Sequence, residues 1–454
     1  MSGWITRLSE VASIVEGTLV GEDLPFHGVS TDSRTVSEGA LFVALQGPNF
    51  NGDRFVSMAA SRGAVAALVS EAQPDPLPQI VVKDTLVALG QLAKAWRAQF
   101  DGPVIAITGS NGKTTVKEMV ATILRQLGPG TVTAGNLNNE IGVPLTLLKI
   151  KPEDRWAVIE MGANGPGEIE RLTAMAQPQL GLVNNAGAAH LGGFGSREGV
   201  VQAKGELYAG LSTESTALIS RELPEAEAWL QLAEDRVVQR YGYWRGRVVS
   251  GEVLGEVEMA QPFRLYYGEV SVTVELPLPG IHNRYNAIAA AALAIKAGAT
   301  LQQVKVGLEQ MSAVAGRLQS HQLLSGTTLI DDSYNASPES VRSALAVLAT
   351  AEGQRFAVLG DMAELGEESA LLHREIGVAA REAEIEQLYA TGVQGVEYVA
   401  GFGEGGHHFE TVEALITALR PMMQERTTVL VKGSRFMKME RVVNALLDGE
   451  GERP

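Results

Sequence analysis

The stretch "PVIAITGSNGKTT", residues 103–115, decides how the rest of the chain is read. Its first half is an apolar run of the kind that forms a strand buried on both faces. Its second half is a glycine turn followed at once by Lys113 and two threonines. Between a strand and a helix, such a turn cradles phosphate. Gly109 and Gly112 let the backbone approach an anion, and the first N–H groups of the helix point at it. Ser110, Asn111 and Thr115 complete the loop. Lys113 supplies charge for the β- and γ-phosphates, and the Thr114 hydroxyl can ligate Mg²⁺. The common phosphate-loop spacing asks for glycine at position 107, where this chain has Ile107, so the loop is a variant. A helix is predicted from near Thr114, with Val116, Met119, Val120, Ile123, Leu124 and Leu127 on one face and Gly128-Pro129 as its stop.

Outward from the loop, "WAVIEMG" (156–162) and "LGLVNNAG" (180–187) read as further strands with helices between them. Strand–helix alternation implies a parallel, doubly wound α/β sheet. Residues 236–280 change character and read as short antiparallel strands appended to it. A third α/β unit starts near 314, with strands "TLIDD", "FAVLGD", "QLYATG" and "TTVLVKG" and a helix start at Ser337-Pro338-Glu339. "GGHH" (405–408) reads as a loop. Ahead of the loop, "GALFVAL", "FVSMAASRGAVAALV" and "PDPLPQIVVKD" suggest a small α/β domain. The expected division is 1–102, 103–313 and 314–454.

Bulk properties agree. A length of 454 residues fits three domains at ~150 residues each. The absence of cysteine removes disulfides, thiolate nucleophiles and thiolate metal sites. A net charge of −16 argues against general nucleic-acid binding. No uninterrupted apolar run reaches membrane-spanning length, and the start lacks a signal pattern, so a soluble cytoplasmic protein without a membrane span is expected.

Other candidate groups are ambiguous one by one. Glu160 ends an apolar strand, where α/β sheets present ligands, but a single strand-end carboxylate proves little. His190 follows a strand end and fits a turn as well as a metal. Lys204, in "REGVVQAKGELYAGL", reads by default as a solvated helix lysine. Asp331-Asp332 end a strand and suit either a ribose hydroxyl or helix capping. Lys432, Ser434 and Arg435 sit in a strand-to-helix turn, which suits a carboxylate or phosphate but equally a basic surface turn.

Together these motifs resemble the ATP-dependent Mur ligases. "TGSNGKTT", "GNLNNEIGVPLTLL", "VIEMGAN", "NNAGAAHLGGFGS", "AKGEL", "GIHNRYNAIAAAALA", "GRL", "DDSYNAS", "VLGDMAELG" and "LVKGSR" occur in that family's order, from about residue 29 to about 445. The resemblance implies a UDP-substrate domain, a central ATPase and a C-terminal Rossmann-like domain. It also implies the reaction: ATP phosphorylates the terminal carboxylate of UDP-N-acetylmuramoyl-tripeptide, and the amine of D-Ala-D-Ala attacks the acyl phosphate. The product feeds peptidoglycan synthesis, and a monomer is expected.

By the same resemblance, Lys113 holds the phosphates, while Thr114, Glu160, His190 and a carbamylated Lys204 surround Mg²⁺. Asn283 contacts adenine, and Arg317 and Asp332 reach the nucleotide from the third domain. Asn138 and Asn139 lie near the reacting groups. Thr31, Asp32, Ser33, Arg34, Gln46 and Gly47 match the UDP-binding part, and Lys432, Ser434 and Arg435 the dipeptide or the phosphates. Two departures stand out: Gly192-Gly193 where relatives carry an acid and then glycine, and "NGDRF" in the first domain. A sister ligase, a folylpolyglutamate-synthase-like enzyme and a non-catalytic UDP-sugar-binding regulator are the competing readings.

Overall fold

The structure is a computed structural model, and it describes residues 4–47, 50–187, 191–246, 249–256 and 262–451. Among these, three large sheets follow one another along the chain. The first runs, edge to edge, Thr18–Val20, Gln79–Val81, Ala66–Val69, Leu41–Val43, Val29–Ser30. Thr18–Val20 pairs antiparallel with its neighbour and the others pair in parallel. The helix Thr85–Arg97, capped by the Asp84 carboxylate on the N–H groups of Leu86 and Val87, lies beside it.

The middle sheet has nine strands, with Val104–Thr108 between Leu180–Val183 and Ala157–Glu160. All three central strands are buried along their length, which is why they read as continuous apolar runs. The region 236–280 corrects the expectation of antiparallel strands in part. Val237–Tyr243 pairs in parallel with Thr216–Ser220, and Val253–Gly255 continues in parallel beyond it. Antiparallel pairing begins only where Phe263–Tyr267 and Val270–Val274 are added.

In the third sheet the order is Gln319–Gln322, Thr328–Asp332, Thr427–Lys432, Gln354–Gly360, Gln387–Thr391, Gly406–Phe409. Its last member is a second correction. "GGHH" is no loop: Gly406–Phe409 forms a parallel edge strand against Leu388–Thr391. His407 and His408 are exposed, and the strand's apolar contact comes from Phe409, stacked on Tyr389 with ring centres 5.9 Å apart.

One core runs across the first two sheets, joining Leu8, Ile80 and Leu92 to Val104, Leu147 and Leu172. The third sheet is covered on its two faces by separate clusters, one around Leu345, Ile376 and Leu388, the other around Phe356, Leu415 and Val443. No helix among the described residues is long and apolar enough to cross a membrane.

Candidate active site

The turn of residues 109–112 sits at the C-terminal end of Val104–Thr108, and the helix Lys113–Leu124 begins directly behind it. Gly112 is the N-cap with φ of +78°, a conformation that side chains disfavour. Asparagines lock the loop from outside. The Asn111 N–H donates to the Asn185 side-chain oxygen at 2.8 Å, and both Asn184 and Asn185 donate to the Asn111 carbonyl at 3.0 Å. Lys113 Nζ folds back over the turn, donating to the Gly109 carbonyl at 2.6 Å and the Ser110 carbonyl at 3.2 Å. Loss of surrounding water lowers its pKa, the charge of Glu160 opposes this, and Arg317 adds to it.

Glu160 ends its strand almost fully buried, with one hydrogen bond to each carboxylate oxygen and lone pairs left over. Its two oxygens accept from the Thr114 hydroxyl at 2.9 Å and from the Asn138 amide at 2.8 Å. Its N–H donates to the Thr133 hydroxyl at 2.9 Å. Lys117, also buried, stands 4.0 Å from the carboxylate and donates to the Thr133 carbonyl at 2.7 Å. Lys117 lies one turn after Lys113 and belongs to the site, although no motif in the sequence singled it out. Asn139 caps the helix Gly142–Leu147 by accepting from the Gly142 N–H at 2.9 Å.

Residues from the third unit close the other side. Arg317 donates to the Thr114 hydroxyl at 3.0 Å, and Ser337 donates to the Asn111 side-chain oxygen at 2.9 Å. Between the two units lies a cleft of about 670 Å³, whose walls include the loop, Asn138, Asn139, Glu160, Asn283, Arg317, Asp332, Lys432 and Arg435. Asn283 donates to the Pro279 carbonyl at 2.7 Å and accepts from Asn286 at 3.3 Å. His282 beside it is kept neutral down to about 4, by burial first and then by the charge of Lys432. Asp332 is paired with Lys432 at 2.6 Å and also accepts the Leu318 N–H at 3.2 Å. Burial raises its pKa, and the ammonium opposes that.

Lys204 departs from its default reading. Only 2% of it is exposed. Its Nζ donates to the Ala163 carbonyl at 3.3 Å and lies 5.2 Å from the centre of the Phe194 ring. Burial, reinforced by the Lys113 ammonium, brings its pKa down to about 7, against the pull of Glu168 and Glu206. His190 lies outside the described residues. Ser434 is buried, accepting the Ala363 N–H at 2.7 Å and donating to the Ala336 carbonyl at 3.3 Å. It shapes the turn and does not line the cleft.

Thr31, Asp32, Ser33, Arg34, Gln46 and Gly47 lie on the first unit, and none of them lines the cleft. Arg34 grips Asp32 through Nε at 2.9 Å and Nη2 at 2.7 Å, holding that carboxyl down at about 2. Gln46 donates to Asn51 and Ser70, each at 3.1 Å. Ser33 is buried with its hydroxyl against the Met58 sulfur at 3.4 Å.

Residues 107–294 match the Mur ligase middle domain, 316–435 the Mur ligase glutamate ligase domain, and 25–97 the Mur ligase family catalytic domain. The chain is 45% identical to the UDP-N-acetylmuramoyl-tripeptide–D-alanyl-D-alanine ligase of Escherichia coli (strain K12), over 97% of this chain and 98% of that one. It is 33% identical to the protein of the same name from Bacillus subtilis (strain 168), with 97% and 98% covered. Among solved structures, MurF from Acinetobacter baumannii superposes with a TM-score of 0.90 at 34% identity, covering 98% of this chain and 99% of that one. MurF from Thermotoga maritima in complex with ADP does so with 0.81 at 27% identity, covering 93% and 97%. Similar to these relatives along nearly its whole length, the chain belongs to the Mur ligase family.

Proposed function

We propose that this chain uses ATP to join D-Ala-D-Ala to UDP-N-acetylmuramoyl-tripeptide, giving ADP, phosphate and the UDP-linked pentapeptide used for peptidoglycan. The observation that carries the reading is the junction at Thr114, where its hydroxyl is shared between Glu160 and Arg317 at the mouth of the phosphate loop. Chemically, a free carboxylate is a poor electrophile. Transfer of the γ-phosphoryl group to it creates an acyl phosphate with a good leaving group. The dipeptide amine then attacks, and phosphate departs from the tetrahedral intermediate.

In this scheme the loop N–H groups and Lys113 hold the triphosphate and balance charge that builds up on its oxygens. Arg317 adds a cation from the opposite wall. Asn138 and Asn139 orient the acceptor carboxylate, and Asn283 and Asp332 hold the adenosine portion. The UDP group lies along Thr31–Arg34 and Gln46-Gly47, and Lys432 and Arg435 face the dipeptide or the phosphates. Ser434 serves by fixing the turn that carries them.

The donors near the loop suit Mg²⁺, a hard cation that takes oxygen ligands. Thr114 and Glu160 present oxygens 2.9 Å apart at the strand end. With His190 and a carbamylated Lys204, they would hold the ion, which supplies charge neutralisation between the phosphates. A lysine whose ammonium is disfavoured by burial is a suitable amine for carbamylation, because only the neutral form attacks CO₂. Units 1–102, 103–313 and 314–454 carry these three tasks in a cytoplasmic monomer.

The test is a coupled phosphate-release assay. Release that requires UDP-tripeptide and D-Ala-D-Ala together supports the reading. Release with a different amino acid in place of the dipeptide, or with neither acceptor, overturns it.

A further inference from the structure

Among the side chains on the cleft wall to which the functional reading gives no task, Tyr334 has the most definite contacts. Tyr334 lies just after the strand Thr328–Asp332. Its N–H donates to the Gly316 carbonyl at 3.1 Å, which fixes it beside the turn that carries Arg317. The Arg317 guanidinium carbon stands 4.4 Å from the centre of the Tyr334 ring, and that of Arg435 stands 5.8 Å from the same centre. The two arginines come from distant parts of the third unit, one ahead of the strand Gln319–Gln322 and the other after the strand Thr427–Lys432. Two like charges that share one ring repel each other, yet each is attracted to its π-electrons. Each also has a polar partner: Arg317 donates to the Thr114 hydroxyl and Arg435 to Glu440, both at 3.0 Å.

We propose that Tyr334 is a positioning residue whose ring, shared by Arg317 and Arg435, aims Arg317 at the phosphate loop and ties the nucleotide end of the cleft to the acceptor end. The inference rests on reading the cleft as the nucleotide site. A guanidinium on a long flexible stem reaches one hydroxyl only if something restricts its rotamers, and a flat ring does this without adding charge. The property required is the aromatic face and not the phenol.

The experiment measures ADP affinity by calorimetry, together with KM for ATP and for D-Ala-D-Ala and kcat, on the full chain. Tyr334→Leu is expected to weaken ADP binding about five- to tenfold, the range for losing one or two cation–π contacts. KM for ATP rises in step, with a smaller change in kcat. Tyr334→Phe restores affinity to within about twofold of the starting protein, since the ring face remains. Arg317→Lys keeps the charge but not the flat group, and loses as much as Tyr334→Leu; it serves in its place should that variant not fold. Lys113→Ala, measured in parallel, reports on the cleft itself. Loss of ADP binding there, with Tyr334→Leu and Arg317→Lys unchanged, overturns the role of Tyr334 and leaves the nucleotide site standing. ADP affinity retained by Lys113→Ala removes the nucleotide reading instead. Equal losses in Tyr334→Phe and Tyr334→Leu would assign the effect to the hydroxyl and also overturn the proposal.

Discussion

Replacing Gly112 with alanine tests the geometry of the loop directly. Its φ of +78° costs a side-chain-bearing residue about 1–2 kcal/mol. A Cβ there would lie 2.6 Å from Asn184 Nδ2 and 2.7 Å from Asn286 Oδ1. Those two atoms hydrogen-bond each other at 3.0 Å, and the same Asn184 amide holds the Asn111 carbonyl at 3.0 Å. Room for the methyl group therefore requires both bonds to open, at about 1 kcal/mol each. The total is about 3–4 kcal/mol. The loop escapes part of this by moving away from the asparagines, and a nucleotide must then pull it back. A share of about 2 kcal/mol in binding corresponds to about a 30-fold loss of ADP affinity. Gly298 supplies the control, because its φ is +104° but a Cβ there meets nothing within 4 Å. Gly298→Ala should lower the thermal midpoint through backbone strain alone and leave ADP affinity unchanged. Calorimetric titration with ADP and thermal melting of both variants decide the matter. If Gly112→Ala binds ADP within about threefold of the unaltered chain, the collision with the asparagines does not govern the loop.

Other consequences are equally open to measurement. Glu160→Gln removes the charge from two hydrogen bonds and should lower kcat/KM for phosphate release about 100-fold or more, with a higher Mg²⁺ requirement; an unchanged Mg²⁺ titration contradicts its place beside the ion. Lys204→Ala should be inactive and partly restored by short-chain carboxylates, and full activity without them removes the proposed ligand role. His282 stays neutral down to about 4, and burial also depresses His373, whose Nε2 accepts the Met362 N–H at 2.9 Å. The unfolded chain protonates both near pH 6.5, so their penalty is absent above that value and grows as pH falls towards 4. The His282 share is about 3 kcal/mol. Urea midpoints that stay level between neutral pH and pH 4 refute it. Finally, small-angle scattering should show a more compact particle with nucleotide and UDP-tripeptide together than without them, and identical profiles contradict closure.

The loop and the central strands were legible because their constraints are local. A buried parallel strand is a run of apolar residues, and a phosphate turn needs its glycines and lysine side by side. Strand direction is not local, which is why Val237–Tyr243 was misassigned: Gln239 and Arg240 look alike whichever way the neighbouring strand points. Gly406–Phe409 was missed since an edge strand with two exposed histidines, whose apolar contact is Phe409 on Tyr389, carries no alternating apolar pattern. The burial of Lys204 did leave a trace. Val200, Ala203, Leu207 and Tyr208 are the buried face of Arg197–Ala209, and Lys204 falls within that stripe. Lys117 sits in the same way among Val116 and Val120. A lysine inside an apolar stripe is therefore the signal to look for. The Arg317–Thr114 contact, spanning 203 residues, leaves no such trace.

The way the units are joined bears on turnover. The first unit is fastened to the middle one by a continuous apolar core and by Arg97, whose buried guanidinium donates to the carbonyls of Ala176, Phe100 and Gln177 and to the Gln179 side chain. Separating them would expose that core and strand a buried cation, so they move as one body. The third unit has its own cores and meets the loop through polar contacts: Arg317 on Thr114, Ser337 on Asn111, and the Gly192 N–H on the Glu364 carbonyl at 3.2 Å. Each such bond contributes only about 0.5–1.5 kcal/mol net, because water replaces it on opening. A ligand that engaged Lys113 and Arg317 at once would add to these few bonds and favour the docked arrangement. A Cβ at Gly192 would lie 3.8 Å from the Glu364 carbonyl, an ordinary van der Waals contact, so the Gly192 N–H can make this bond whether or not the residue carries a side chain.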